Sequence, residues 1–464
     1  MTGDRFNPIV VKEMRQGLKS KSFLAAFLGL QALMLLSMII YFSAATTGGD
    51  DFGFSNGFFW TMVGLITLIL MPLRAFSAIY QETKDNTLEL VFLTHLTSWK
   101  ISFGKWLALI IQTSLLLTAV LPYLVLRYFL GTIDLTGDLR TILYLLLFSM
   151  LFTAFGVGIS AWKSKLLRRL IIFFMVISMW NLPQFLFFAS FGGAMRGPGV
   201  MLPGLADHLM GIWVMLLLML YFVEYGASVI APPAENHAFP KRLIGLVLMG
   251  SLLTYGYIQG VNWLSIMAFF CMLPLLVDNL CEPVMLIPSL YNKRMPPPGF
   301  RWLFFPGWVS GIFFLLFVSV FLLLGLWNAY PAVDGMHLMV FNFISLMIFP
   351  VAVVLNLNPG TGKWKPAYIA MQTGCVTLAG FLIAMNEVTH FNDLNFLLRF
   401  FPHANFFLLF DPAHRTDPQT SAGVFVTLIL VSVATFFAMR KAFAGMVRLC
   451  RQARKPDAVI PART

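Results

Sequence analysis

Long runs of apolar side chains, broken by short polar or basic clusters, occupy most of the chain from residue 22 onward. A bilayer core about 30 Å thick needs roughly 20 helical residues, because each lifts the chain about 1.5 Å and every backbone group in lipid must be paired within its own segment. Twelve stretches meet that length: 22–45, 57–80, 103–130, 140–162, 169–190, 209–231, 241–258, 261–281, 304–328, 336–357, 366–386 and 421–441. The seventh and eighth are parted only by Gln259 and Gly260 and are the least distinct. The pattern predicts an all-α, polytopic membrane protein of about twelve transmembrane helices.

Composition agrees. Hydrophobic residues make up 59% of the 464 and charged residues 11%, against about 25% charged in a soluble domain, so water is not the main solvent for this chain. The 47 Phe, 26 Met and 11 Trp run along its whole length and leave no polar half to form a separate soluble domain. A net charge of +12 would suit nucleic acid, but the basic residues sit in clusters between apolar runs, where they write topology, and no nucleic-acid partner is expected. With a cytoplasmic N-terminus, 27 of the 32 Lys and Arg fall on the cytoplasmic side and only Arg127, Arg140, Arg196, Arg399 and Arg415 fall outside. Changing the count by one span would spoil that asymmetry, so both termini are expected in the cytoplasm, with the chain in the cell membrane. Cys271, Cys281, Cys375 and Cys450 show no metal-ligand spacing, which implies neither a disulfide framework nor a metal site. The apolar run Phe23 to Ala45 is too long for a signal-peptide core and reads as a retained span.

Three segments do not fit as spans. In residues 1–21, Asn7 is a natural helix cap and Pro8 suits the first helical position. Val10, Met14 and Leu18 then face away from Lys12, Arg15 and Lys19, predicting a basic amphipathic helix along the inner membrane surface. Residues 82–98 join the second and third spans on the cytoplasmic side, and their apolar Leu88, Val91 and Leu96 require cover. Either a cytosolic partner or the inner ends of the spans would supply it. Residues 394–410 are apolar yet interrupted by Arg399, Pro402, His403 and Asn405, and predict an outer re-entrant or interfacial hairpin broken at Pro402.

These residues resemble the permease of the type-2 ABC exporter family, whose membrane halves have six spans and pair with a separate ATPase. NPIVVKEMRQGLKSKSF is similar to that family's N-terminal amphipathic helix. Arg74, Glu82, Thr87, Leu88, Glu89, Leu93, Thr94, Leu96, Ser98, Gly104 and Lys105 follow its segment after the second span, which in the family is the coupling helix touching the ATPase. The resemblance implies a docking role above all for Glu82, Thr87, Leu88 and Glu89, with Asp85, Thr94 and Ser98 in the same segment. The sequence departs from the family at Asn86, where glycine is common, and at His95, where proline is common. Most of the likeness lies in the first 240 residues.

The expected organisation is a first six-span half at 22–240, a second at 241–441 and a basic cytoplasmic tail at 442–464. Aligning Asp85, Asn86, Glu89, Val91 and Leu93 with Asp278, Asn279, Glu282, Val284 and Leu286 gives one constant offset, so one chain would supply both halves. Without such a repeat, it would dimerise. Arg74 and Glu224 lie at matching depth in the second and sixth spans, which leaves two readings open: an ion pair between them, or Arg74 snorkelling to the inner headgroups with Glu224 in a water-filled inner vestibule. NPGTGKWK at 358–365 lacks the first glycine and the final Ser or Thr of a phosphate loop, so no ATP site, cofactor or catalytic residue is expected. Two other readings stay open: an ion-coupled secondary transporter using Glu224, and a membrane enzyme using His390, Asp393, His403, Asp411 and His414 of the outer loop 387–417.

Overall fold

A computed structural model of the protein describes residues 7–47, 52–84, 96–129, 135–162, 205–232, 235–260, 263–284, 301–329, 336–357, 364–389, 398–409 and 417–453. Every regular element among these residues is helical. Nine of the helical stretches are long and apolar enough to cross a membrane: Lys21–Ser43, Ser55–Ala75, Ser98–Phe129, Thr136–Ser160, Ala206–Ile230, Trp308–Leu326, His337–Val354, Ala367–Met385 and Pro418–Arg440. Such a set is that of a polytopic helical membrane protein. Nine, among the described residues, thus stand against the twelve predicted from the sequence. The fifth predicted span, 169–190, lies outside the described residues. The seventh and eighth are helices but fall outside the nine, the apolar part of the eighth being Met267–Leu280.

The chain divides into two compact units, Met1–Pro232 and Pro233–Thr464. In the first, α1 (Pro8–Leu18) begins where the sequence requires: the Asn7 side chain accepts the Ile9 N–H at 3.1 Å and Pro8 needs no donor partner. Helix α2 (Lys21–Thr47) follows after a corner at Ser20. The second span is composite: α3 (Phe52–Gly64), a π-helical turn (Leu65–Leu70) and α4 (Met71–Ala75). Pro72 has no N–H and its ring crowds the carbonyl four residues back, so the regular ladder cannot pass through it. The looser turn sits immediately before it, and the Ser149 hydroxyl donates to the Thr67 carbonyl at 2.8 Å within that turn.

After α5 (Tyr80–Lys84), the third span opens with the Thr97 side chain capping the Lys100 N–H. It is divided into α6 (Ser98–Thr118) and α7 (Leu121–Phe129), with Pro122 just inside the second piece. Helices α8 (Leu135–Ser160) and α9 (Leu205–Ile230) complete the described part of the unit, and α6, α8 and α9 pack on one another. Two glycines set the spacing of α8 and α9. A Cβ on Gly158 would stand 2.9 Å from the Phe222 carbonyl oxygen, and one on Gly226 would stand 3.2 Å from the Gly158 Cα. Backbone meets backbone there, as small residues permit between membrane helices.

The second unit comprises α10 (Ala238–Gln259), α11 (Trp263–Leu280), the single turn α12 (Arg301–Phe304), α13 (Trp308–Ala329), α14 (Met336–Leu357), α15 (Trp364–Thr389), α16 (Pro402–Leu408) and α17 (Pro418–Ala453). Helix α11 packs between α10 and α13, α14 packs on α17, and the short α16 lies among α14, α15 and α17. The tail expected from residue 442 starts as a continuation of α17, which runs to Ala453.

Gly158→Val is expected to destabilise the protein by about 1–3 kcal/mol through overpacking, read as a lower melting temperature in detergent. Gly29→Ala, where the added methyl meets nothing within 4 Å, is expected to leave it unchanged or raise it slightly.

Candidate functional site

In the first unit, four charged side chains from α1, α5 and α6 form one cluster. Lys105, 3% exposed, places Nζ 2.8 Å from Glu13 Oε1 and 3.1 Å from Glu82 Oε1. Lys12 reaches the same Glu82 oxygen at 3.2 Å. The cluster is neutral in sum, and its heart is a lysine that burial would otherwise penalise by several kcal/mol. Helix α1 is fastened to α6 at a second point, where Asn7 Nδ2 donates to the Lys100 carbonyl at 2.8 Å, and it buries Ile9 and Val10. The predicted amphipathic helix packs on α6 through this side.

Arg74, at the end of α4, extends this junction. Its Nη1 donates to Gln112 Oε1 at 2.7 Å, and its Nη2 to Ser20 Oγ at 3.1 Å and the Gly17 carbonyl at 3.5 Å. The guanidinium also lies 5.8 Å from the Phe23 ring centroid. The ion pair with Glu224 is not among the described contacts of Arg74. The C-terminal end of α1 offers carbonyl and hydroxyl acceptors, as helix C-termini do, so the guanidinium is satisfied without a carboxylate. Glu224 is buried on α9.

The coupling segment divides into parts with different surroundings. Glu82 sits in α5 and points into the ionic cluster, and Ser98 is fully buried at the start of α6. Neither presents an open docking surface in this structure: Glu82 is taken up by Lys12 and Lys105, and Ser98 is buried. Asp85, Thr87, Leu88, Glu89 and Thr94 lie outside the described residues.

A second ionic network, in the other unit, was missed in the sequence. Lys241 and Arg242, two of the 27 basic residues assigned to the cytoplasmic side, lie buried in α10. Lys241 Nζ approaches Asp278 Oδ2 at 2.5 Å and Glu282 Oε1 at 3.5 Å. Arg242 donates to Asn279 Oδ1 at 3.0 Å, to the Leu303 and Phe305 carbonyls at 2.7 and 2.8 Å, and to Ser310 Oγ at 2.6 Å. It also reaches Glu282 Oε2 and the Gly307 carbonyl, both at 3.4 Å. Glu282 Oε2 also accepts the Gly307 N–H at 3.1 Å, where the backbone takes the left-handed φ of 116° that glycine tolerates. The polar residues aligned with Asp85, Asn86 and Glu89 are thus helix cross-links in the second unit. The legible signal was an acidic pair spaced i, i+4 at the end of one apolar run and a Lys-Arg pair at the start of the run before it.

On the outer-loop segment, α16 begins at Pro402, where the break was predicted. Arg399 pairs with Asp417 at 2.9 Å, and Asp417 Oδ1 accepts the Gln419 N–H at the start of α17. His390, Asp393, Asp411 and His414 lie outside the described residues, whereas His403 is fully buried. No group of three or more His, Cys, Asp or Glu that could hold a metal occurs among the described residues. No protein-family model, curated protein or solved structure matches the chain.

Lys105→Met is expected to cost about 3–5 kcal/mol, because Glu13 and Glu82 are left facing each other without their shared cation. Glu82→Gln should cost less, since Lys105 keeps Glu13. Thermal unfolding of both single variants and the double variant should give a double-variant loss smaller than the sum; strict additivity would show that the contacts do not couple.

Proposed function

We propose that the chain is the membrane-spanning permease subunit of an ATP-driven exporter, moving its substrate by alternating access under the drive of a separate ATPase. The resemblance of the first 240 residues supports the class. The observation that carries the mechanism is Glu82, held at once by Lys12 of α1 and Lys105 of α6. A segment that follows Glu82 directly and is pushed by a partner would move α5, and α5 cannot shift without pulling on α1 and the third span. Arg74 adds α4 and the α1–α2 corner to the same junction.

In this reading Asp85, Thr87, Leu88, Glu89 and Thr94 meet the ATPase, while Glu82 and Ser98 anchor the segment to the membrane part. Both termini face the cytoplasm, the chain resides in the cell membrane, and its two units serve as the paired halves of one permease. ATP is hydrolysed on the partner, and no cofactor is required in this chain.

Docking and transmission separate experimentally. Tagged chain in mild detergent is expected to co-purify an ATPase, and Asp85→Lys with Glu89→Lys to lose it. Lys105→Met should retain the ATPase while lowering permease-dependent stimulation of ATP hydrolysis by about tenfold, the size of a ~1.4 kcal/mol rise in the activation barrier. A folded wild type that captures no ATPase under several detergents would remove the mechanism, and ion-coupled transport through Glu224 would then be tested with Glu224→Gln.

A further inference from the structure

The junction of α14 and α16 in the second unit gathers buried polar atoms that the described residues leave unpaired. Asn342, Ser345 and Phe349 are spaced three and seven residues apart, so they share one face of α14. That face meets the start of α16: Asn342 Nδ2 donates to the Pro402 carbonyl at 3.0 Å, and the Phe349 ring centroid lies 5.7 Å from that of His403. Phe401 adds a second aromatic wall, 5.1 Å from the imidazole. Asn342, Ser345 and His403 are all completely buried.

Among the described residues, Asn342 Oδ1 and both ring nitrogens of His403 have no hydrogen-bond partner. The carboxamide is oriented by its bond to Pro402, so the unused atom is the oxygen. The Ser345 hydroxyl donates to the Phe341 carbonyl at 3.1 Å and keeps acceptor capacity. Native interiors rarely leave such groups unsatisfied, and in a membrane protein the cost is not relieved by bulk water.

We propose that this junction binds a neutral, hydroxyl-bearing ligand. Asn342 Oδ1 requires a donor, whereas a neutral imidazole offers one N–H and one acceptor nitrogen; a hydroxyl is the small group able to meet either demand, and a ligand with more than one can meet both. None of these three polar side chains hydrogen-bonds an ionised group among the described residues, and the aromatic walls give a formal charge no counter-ion. Water is the smallest ligand of this chemistry and a polyol the next. The proposal stands on the fold of the second unit and is independent of the exporter reading.

The test is nuclear magnetic resonance of the full chain, ¹⁵N-labelled at histidine, in phosphatidylcholine nanodiscs at pH 7.5, with and without glycerol. The His403 ring signals are those that vanish in His403→Phe. Hydrogen-bonded ring nitrogens that glycerol does not alter assign the site to water. A saturable further shift with glycerol, lost in Asn342→Leu, assigns it to polyols. Should Asn342→Leu misfold, Ser345→Ala serves in its place. Ring nitrogens at the positions of an unbonded neutral imidazole under both conditions, together with a His403→Phe melting temperature at or above wild type, would overturn the proposal.

Discussion

A cation removed from water must be given its counter-charge by the protein, and this constraint organises the described structure on both sides of residue 232. In the first unit Lys105 is buried, and Glu13 and Glu82 come to it from α1 and α5. In the second, Lys241 and Arg242 are buried, and Asp278, Asn279 and Glu282 come to them from the end of α11. Each network fixes helices that hydrophobic contact alone would leave free to slide, since lipid tails solvate an apolar side chain as well as a neighbouring helix does. The two differ in what they join. One ties the N-terminal helix and a short turn to a span; the other ties helix to helix, with the Leu303 carbonyl of α12 and the Phe305 carbonyl beyond it completing the arginine's bonds.

Backbone chemistry imposes the second constraint. Pro72 interrupts the ladder of the second span, and the π-helical turn before it leaves a carbonyl to which Ser149 of α8 donates. The close passage of α8 and α9 at Gly158 and Gly226 positions α9 against α6, where Ser102 donates to the Val223 carbonyl at 2.9 Å. The ionic cluster of α1, α5 and α6 is therefore built onto a span whose other sides are already fixed.

Local features were the most readable. Asn7 and Pro8 announced the start of α1, because the cap and the first helical position make demands that few residues meet. Pro402 announced the break before α16 for the reason that proline starts helices and does not continue them. Pairings were read poorly. Arg74 was matched to Glu224 by depth alone, yet depth in a bilayer says nothing about which side of a helix a group occupies or what lies nearer. The positive-inside count places Lys241 and Arg242 on the cytoplasmic side but does not distinguish a basic pair that faces water from one that faces a carboxylate.

The sequence by itself determined the class of structure: apolar runs of membrane length must become helices, since no other open form pairs its own backbone in lipid, and the placement of Asn, Pro and Gly set several helix ends. Which helices touch was decided only in three dimensions. Lys105 and Glu13 are far apart in the chain, and nothing local in either records the other. Their meeting depends on the turn at Ser20, the composite second span and the seat of α1 on α6 together. The same holds for Asn342 and His403, whose unused hydrogen-bonding atoms become visible only once α16 is laid against α14.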